Sequence, residues 1–216
     1  MSNSTPLMQQ SVKDVVYESV ASVTSHRMLA NDVIKSLNSS ISGLSKDSVQ
    51  ARRDELDSDG DVIPPPVSTP AWMCCMVFDS DDRKMESYRR CVPVYAMVKR
   101  QRIGDGWFKM ESNQLVPGDI VKISANHYAP ADIRVIEVSD DATADTRTLF
   151  PDGETICLSE KPSHDEYLDS TCMIFAGSHI RTGTVQGIVC RVGKETVIAN
   201  MIKKNIWPPT EAILSV

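Results

Sequence analysis

The side chains able to do chemistry are few, and most of them sit in turns. The sharpest group is Pro151-Asp152-Gly153-Glu154-Thr155, which places two carboxylates and a hydroxyl around a glycine. A carboxylate on a narrow loop can serve as a general base if it reaches a water beside an electrophile. A glycine next to it lets the backbone approach closely. The same residues also form an ideal solvated turn, which is the plainer reading. Glu160, in Leu158-Ser159-Glu160-Lys161, is a weaker candidate. Asp119 and Asp132 close the turns VPGD and APAD, where an aspartate ordinarily accepts backbone hydrogen bonds. Arg134 reads as a paired surface residue, and Gly183 and Gly187 as positions set by backbone geometry. Gly193-Lys194-Glu195-Thr196 lacks the upstream glycine spacing of a phosphate loop, and Thr196 reads as a helix start.

No metal site is expected. The six cysteines (Cys74, Cys75, Cys91, Cys157, Cys172, Cys190) include no C-x-x-C pair, and the four histidines (His26, His127, His164, His179) are scattered. This pattern fits reduced, structurally ordinary thiols. A net charge of −6 over 216 residues argues against a nucleic-acid binder, which would carry a basic face. The N-terminus has no apolar segment of the signal-peptide kind. The longest apolar run, AWMCCMVF at 71–78, covers about 12 Å as helix, and a bilayer core needs about 30 Å. No transmembrane segment is therefore expected. The run reads instead as a patch for self-association or loose membrane contact.

The elements that must position the turn residues change in texture along the chain. Residues 1–25 read as a disordered or weakly helical arm, with valines at helical spacing from Ser11 to Val23. Residues 26–62 read as helical. One candidate runs from Arg27 to Leu37, and another starts at the N-cap Ser45 with Val49 and Leu56 in register. Residues 63–82 read as a proline-rich linker and flexible junction, opened by Pro64-Pro65-Pro66. From Tyr95 onward, short β-branched runs punctuated by Gly and Pro predict strands over 96–99, 115–123, 133–138, 173–175 and 184–192. A helix over 196–204 follows. The whole reads as mainly β with an α appendage: a small jelly roll or β-sandwich, capped by a C-terminal helix, with residues 207–216 as a tail.

LVPGDIVKI followed one strand later by APADIRVIE, and then by RTGTVQGIVCRVGKETVIANM, resembles the actuator domain of P-type cation-transporting ATPases. HRMLANDVIKSL, GLSKDSVQARRDEL, IPPPVSTPAW and RKMESYRRCVPVYAMVKR resemble cytosolic segments of the Na,K-ATPase and H,K-ATPase alpha-subunit group. The resemblance implies an actuator-type distorted jelly roll over residues 83–206 and a cytoplasmic location, at the cytosolic face of the plasma membrane. It implies docking on the phosphorylation domain of an intact pump, including its beta-subunit-containing complex. ATP and Mg2+ serve the parent family, but the chain has no D-K-T-G-T phosphorylation motif and no nucleotide-binding domain, so it should hold no cofactor itself. The family's first two membrane helices would fall between Trp72 and Arg83, where about ten residues stand.

The resemblance also gives the 151–155 turn its meaning. In the family a T-G-E-S loop carries the glutamate that activates water against an aspartyl phosphate. Strict register puts Phe150-Pro151-Asp152-Gly153 at that signature, losing the glutamate and adding a rigid proline. A two-residue insertion instead gives Asp152-Gly153-Glu154-Thr155, which keeps the Gly-Glu pair and makes Glu154 the candidate catalytic residue. Asp152 would then stand where it repels a phosphoryl group. The functions in view are a catalytically incomplete actuator module that binds or regulates a pump, and a piece of a pump. A trans-acting aspartyl-phosphate phosphatase using Glu154 and a vestigial product without activity remain alternatives.

Overall fold

The computed structural model describes residues 12, 13, 16, 17, 22–56, 80–101, 106–163 and 165–208. The prolines at 64–66, the apolar run at 71–78 and the join up to residue 79 lie outside them. The described residues form four α-helices, α1 (Ala30–Ser36), α2 (Lys46–Leu56), α3 (Ser80–Cys91) and α4 (Val197–Lys203). Ten strands accompany them: β1 (Tyr95–Lys99), β2 (Phe108–Glu111), β3 (Ile120–Ser124), β4 (His127–Tyr128), β5 (Asp132–Val138), β6 (Thr143–Asp145), β7 (Thr155–Cys157), β8 (Met173–Ile174), β9 (His179–Thr182) and β10 (Thr184–Arg191).

The strands build two antiparallel sheets, one in the order β2-β1-β3-β10-β5-β8 and the other in the order β4-β9-β6-β7. This is the mainly β sandwich that the strand pattern predicts. Alternation along the strands divides their side chains between two interiors. On β3, Val121 and Ile123 enter the core between the sheets, and Ile120 faces the opposite way onto α1. On β10, Val185 and Val189 take the inner face and Ile188 the outer. Strands buried on both faces read as continuous apolar runs, which is why these two were visible in the sequence.

The two Pro-x-Asp turns do not start adjacent strands. VPGD leads into β3 and APAD into β5, and β10 lies between them, antiparallel to both. Hence β3 and β5 run parallel to each other. The strand predicted over 115–123 begins only at Ile120, because residues 116–119 form a turn closed by Asp119 N–H donating to the Val116 carbonyl at 3.1 Å.

The N-terminal helices pack against the β body. Val33 and Ile34 of α1 pack against Ile120 and Ile188 on the outer face of the first sheet. Val49 of α2 packs with Leu44 and Val116. Ser45 caps α2, its hydroxyl accepting from Ser48 N–H at 3.2 Å. The expected arm is also used: Val16 is fully buried in a second core with Leu149, Phe150, Met173 and the α4 residues Val197, Ile198 and Met201. Helix α1 starts at Ala30, three residues later than the predicted Arg27. Helix α3 crosses the boundary expected between linker and β domain at residues 82 and 83. Trp207, assigned to the tail, is buried, and its indole N–H donates to the Thr148 carbonyl at 3.0 Å. Among the described residues no helix is long and apolar enough to cross a membrane.

Candidate functional site

The turn with the candidate carboxylates is the tip of the β6–β7 hairpin, whose strands pair Thr143 with Cys157, Ala144 with Ile156 and Asp145 with Thr155. The base of the loop is anchored in the core. Leu149 and Phe150 are fully buried, and Thr148 donates from its hydroxyl to the Gly177 carbonyl at 2.6 Å. Leu149 N–H and Phe150 N–H both donate to the Thr146 carbonyl, and Gly153 N–H donates to the Phe150 carbonyl at 3.0 Å. Phe150-Pro151-Asp152-Gly153 is therefore a β-turn with proline at its second position, where a fixed φ near −65° suits it. Pro151 and Asp152 form the exposed apex.

Glu154 sits where the hairpin resumes. Its N–H donates to the Thr146 hydroxyl at 3.2 Å, and its carbonyl accepts from Thr146 N–H at 3.0 Å. Its side chain is exposed, as is that of Thr155. Gly153 alone thus separates the two candidate carboxylates, with Asp152 at the turn and the farther from the sheet. Gly153 has a local reason to be glycine. A Cβ there would meet Thr146 C and O and Arg147 N at 2.7 Å, so the loop could not close on its own base. Glu160, the weaker candidate, lies away from this loop, where its carboxylate accepts from Val138 N–H at 3.0 Å.

The comparisons with known proteins bear on this hairpin and its two sheets. A profile of the P-type ATPase actuator domain matches residues 93–205. The chain belongs to that family. The matched span runs from the residues before β1 to the end of α4 and includes the β6–β7 loop. No curated protein sequence matches the chain. Among solved structures, one similar chain is that of a zinc-transporting PIB-type ATPase in the E2.Pi state, at 19% identity and a TM-score of 0.41. The alignment covers 55% of this chain and 17% of that one.

Two further features of this actuator domain went unread or were misread in the sequence, and the first flanks the loop. Asp145, almost wholly buried at the end of β6, is held by two arginines. Arg147 Nη2 lies 2.6 Å away and Arg181 Nη2, reaching from β9, 2.5 Å away. Burial alone would raise this carboxyl, but the hydrogen bonds from Arg147 and Arg181 outweigh it and hold it well below the ordinary carboxylate range. Asp145 and Arg147 at i and i+2 gave a faint signal of one strand face. Arg181 is 36 residues from Asp145 and gave none.

The second feature is Arg134. It is not on the surface but completely buried on β5. Its guanidinium donates to carbonyls: Ser25 at 3.2 Å, Met28 at 3.0 Å, Glu160 at 3.1 Å and Val135 at 2.5 Å. It fastens the segment before α1 to the sheet. The two turn aspartates do bind backbone. Asp119 accepts from Val116 N–H at 2.9 Å and pairs with Arg100 at 2.6 Å. Asp132 accepts from Ala176 N–H at 3.0 Å and from Val197 N–H, at the start of α4, at 2.9 Å. Burial pushes the Asp132 carboxyl up to about 6, against these two hydrogen bonds and the charge of Arg191. Thr196 caps α4, its hydroxyl accepting from Ala199 N–H at 3.3 Å. Among the described residues no cluster of His, Cys, Asp and Glu could hold a metal ion.

Proposed function

We propose that this chain works as the actuator module of a cation-transporting P-type pump, of the Na,K-ATPase and H,K-ATPase group, at the cytosolic face of a membrane. The observation that carries the reading is the β6–β7 loop, a narrow hairpin with a carboxylate-bearing apex and a base locked into the core, within the span that matches the actuator profile. Such a loop keeps its shape while the domain moves, as a swinging part must if it is to transmit motion. The module binds the phosphorylation domain of a pump through this loop. The subgroup rests on the N-terminal segments GLSKDSVQARRDEL and IPPPVSTPAW.

The test is capture of an intact Na,K-type pump by the immobilised chain in each ligand state, followed by decay of the pump's aspartyl phosphate with the chain added. The reading expects retention in one phosphorylated state and loss of retention on Asp152→Lys at the apex. Absence of retention in every state would discard it. If Glu154 activates water, added chain speeds the decay and Glu154→Gln abolishes the acceleration. Equal decay with and without the chain leaves a module that binds without hydrolysing.

A further inference from the structure

We infer that the groove between α2 and the β1–β2 hairpin is a binding site for a ligand carrying clustered phosphate groups. The groove encloses about 930 Å³, and its described lining includes Lys46, Arg53, Arg100 and Lys109 but no carboxylate. This local excess stands out in a chain whose net charge is −6. It lies apart from the β6–β7 loop, so the inference does not depend on the docking reading above.

Of the two arginines in the groove, the fold pairs Arg100 with a carboxylate and leaves Arg53 without one. Arg100 is served: its Nε and Nη2 each lie 2.6 Å from an oxygen of buried Asp119. That carboxylate also accepts from Val116 N–H. Arg100 Nη2 donates as well to the Gln114 carbonyl at 3.0 Å. Arg53 Nη2 points at the same oxygen from 3.4 Å and at Gln114 Oε1 from 3.5 Å, both at the far limit of a hydrogen bond. Arg53 Nε is buried with no acceptor. Two guanidinium groups thus converge on one carbonyl, with a single carboxylate between them. A partly buried guanidinium without an anion is costly, and a bound anion relieves the cost.

Lys46, Val49, Gln50 and Arg53 follow at i, i+3, i+4 and i+7, so one face of α2 turns both cations to the groove. Lys109, on β2, borders the groove through its strand, while its ammonium lies 4.2 Å from the Tyr95 ring centroid on the exposed face of the hairpin. Lys46, Arg53 and Lys109 form no ion pair among the described residues. Guanidinium forks match phosphate oxygens in pairs, and ammonium groups add point charge at the rim. The volume falls in the range of small-molecule sites, roughly 300–1,000 Å³, enough for several phosphates on a small scaffold.

The experiment uses the full chain and two probes. One is tripolyphosphate in solution, followed calorimetrically. The other is phosphatidylcholine vesicles doped with phosphatidylinositol 4-phosphate, followed by flotation. The variants are Lys46→Gln with Arg53→Gln, the two α2 cations that face the groove, against Lys35→Gln with Lys194→Gln, which removes equal charge elsewhere. Unchanged thermal midpoints establish that each variant is folded. Binding to at least one probe, weakened about tenfold or more in the groove variant and unchanged in the control, is the expected result. Vesicle binding alone identifies a lipid headgroup, and tripolyphosphate binding a free phosphate ester. Failure to bind either probe, or equal weakening in both double variants, overturns the inference.

Discussion

Asp132 sits fully buried with two backbone N–H groups on its oxygens, and the low-dielectric surroundings favour its protonated form. The folded chain therefore keeps this proton up to about pH 6, whereas an unfolded chain releases it near 3.8. Stability from this group is fully present below the unfolded value and falls as pH rises through about 6, by about 3 kcal/mol for a shift of about two units. Buried His26 works in the opposite sense. Its surroundings lower its pKa, through burial first and then the charge of Arg27, so its contribution is present above 6.5 and lost on acidification. The comparison that isolates Asp132 is Asp132→Asn. The difference in unfolding free energy between the two proteins, measured by urea titration from pH 4 to pH 7, should shift by about 3 kcal/mol over that range in favour of the variant. A constant difference would mean that Asp132 titrates normally. The sequence showed the turn chemistry of this aspartate but not its burial, because the groups that enclose it, Ala176 and Val197, come from 44 and 65 residues away.

At the scale of elements, the β6–β7 loop depends on the absence of one side chain. Gly153→Ala puts a methyl group 2.7 Å from three backbone atoms of Thr146 and Arg147, and backbone has no rotamer by which to yield. We expect a loss of roughly 1–3 kcal/mol in chemical denaturation, with faster amide exchange at Phe150 and Gly153 as the local marker. A variant as stable as the parent would show that the loop closes some other way. The strands that carry the sheet were legible. β1, β3, β5 and β10 are β-branched runs bounded by Gly and Pro, with β3 and β10 buried on both faces. β2, β4, β6, β7 and β9 were not, because they are two to four residues long and carry many polar residues, as in Thr-Ala-Asp and His-Ile-Arg-Thr. Helix α3 was hidden for a related reason: Ser-Asp-Asp-Arg-Lys-Met-Glu-Ser-Tyr-Arg-Arg-Cys shows no apolar stripe of the usual width. In the candidate loop, the turn chemistry of Pro151-Asp152-Gly153 was legible. Which carboxylate stands at the apex became readable only once Glu154 was seen paired with Thr146.

For the molecule as a whole, the main departure from the sequence reading is the N-terminal segment. The sequence reads as a helical arm followed by a linker, yet arginines on β5 and α2 bind that arm to the sheet. Arg134 on β5 holds the carbonyls of Ser25 and Met28. Arg52 on α2 bonds the carbonyls of Leu37 and Pro117, and Arg53, also on α2, leans on Gln114. Removing residues 1–36 would uncover Ile120 and Ile188 and leave the Arg134 guanidinium short of two acceptors. Burial of Val33 and Ile34 alone is worth roughly 3–6 kcal/mol. The truncated chain should therefore lose at least that much stability by urea titration, or fail to fold. A truncation with an unchanged midpoint would show that these contacts add nothing to the stability of the β domain.

The place of β10 also bears on how the protein is made. Residues 184–191 form the bridge between β3 and β5, both synthesised some fifty residues or more earlier. Until that stretch has left the ribosome, two apolar strands have their central partner missing and the first sheet exists only as separate halves. Strand pairings distant in sequence form slowly, and open edges are the surfaces on which nascent chains aggregate. A nascent chain stalled before residue 184 is thus the form of this protein most in need of a chaperone.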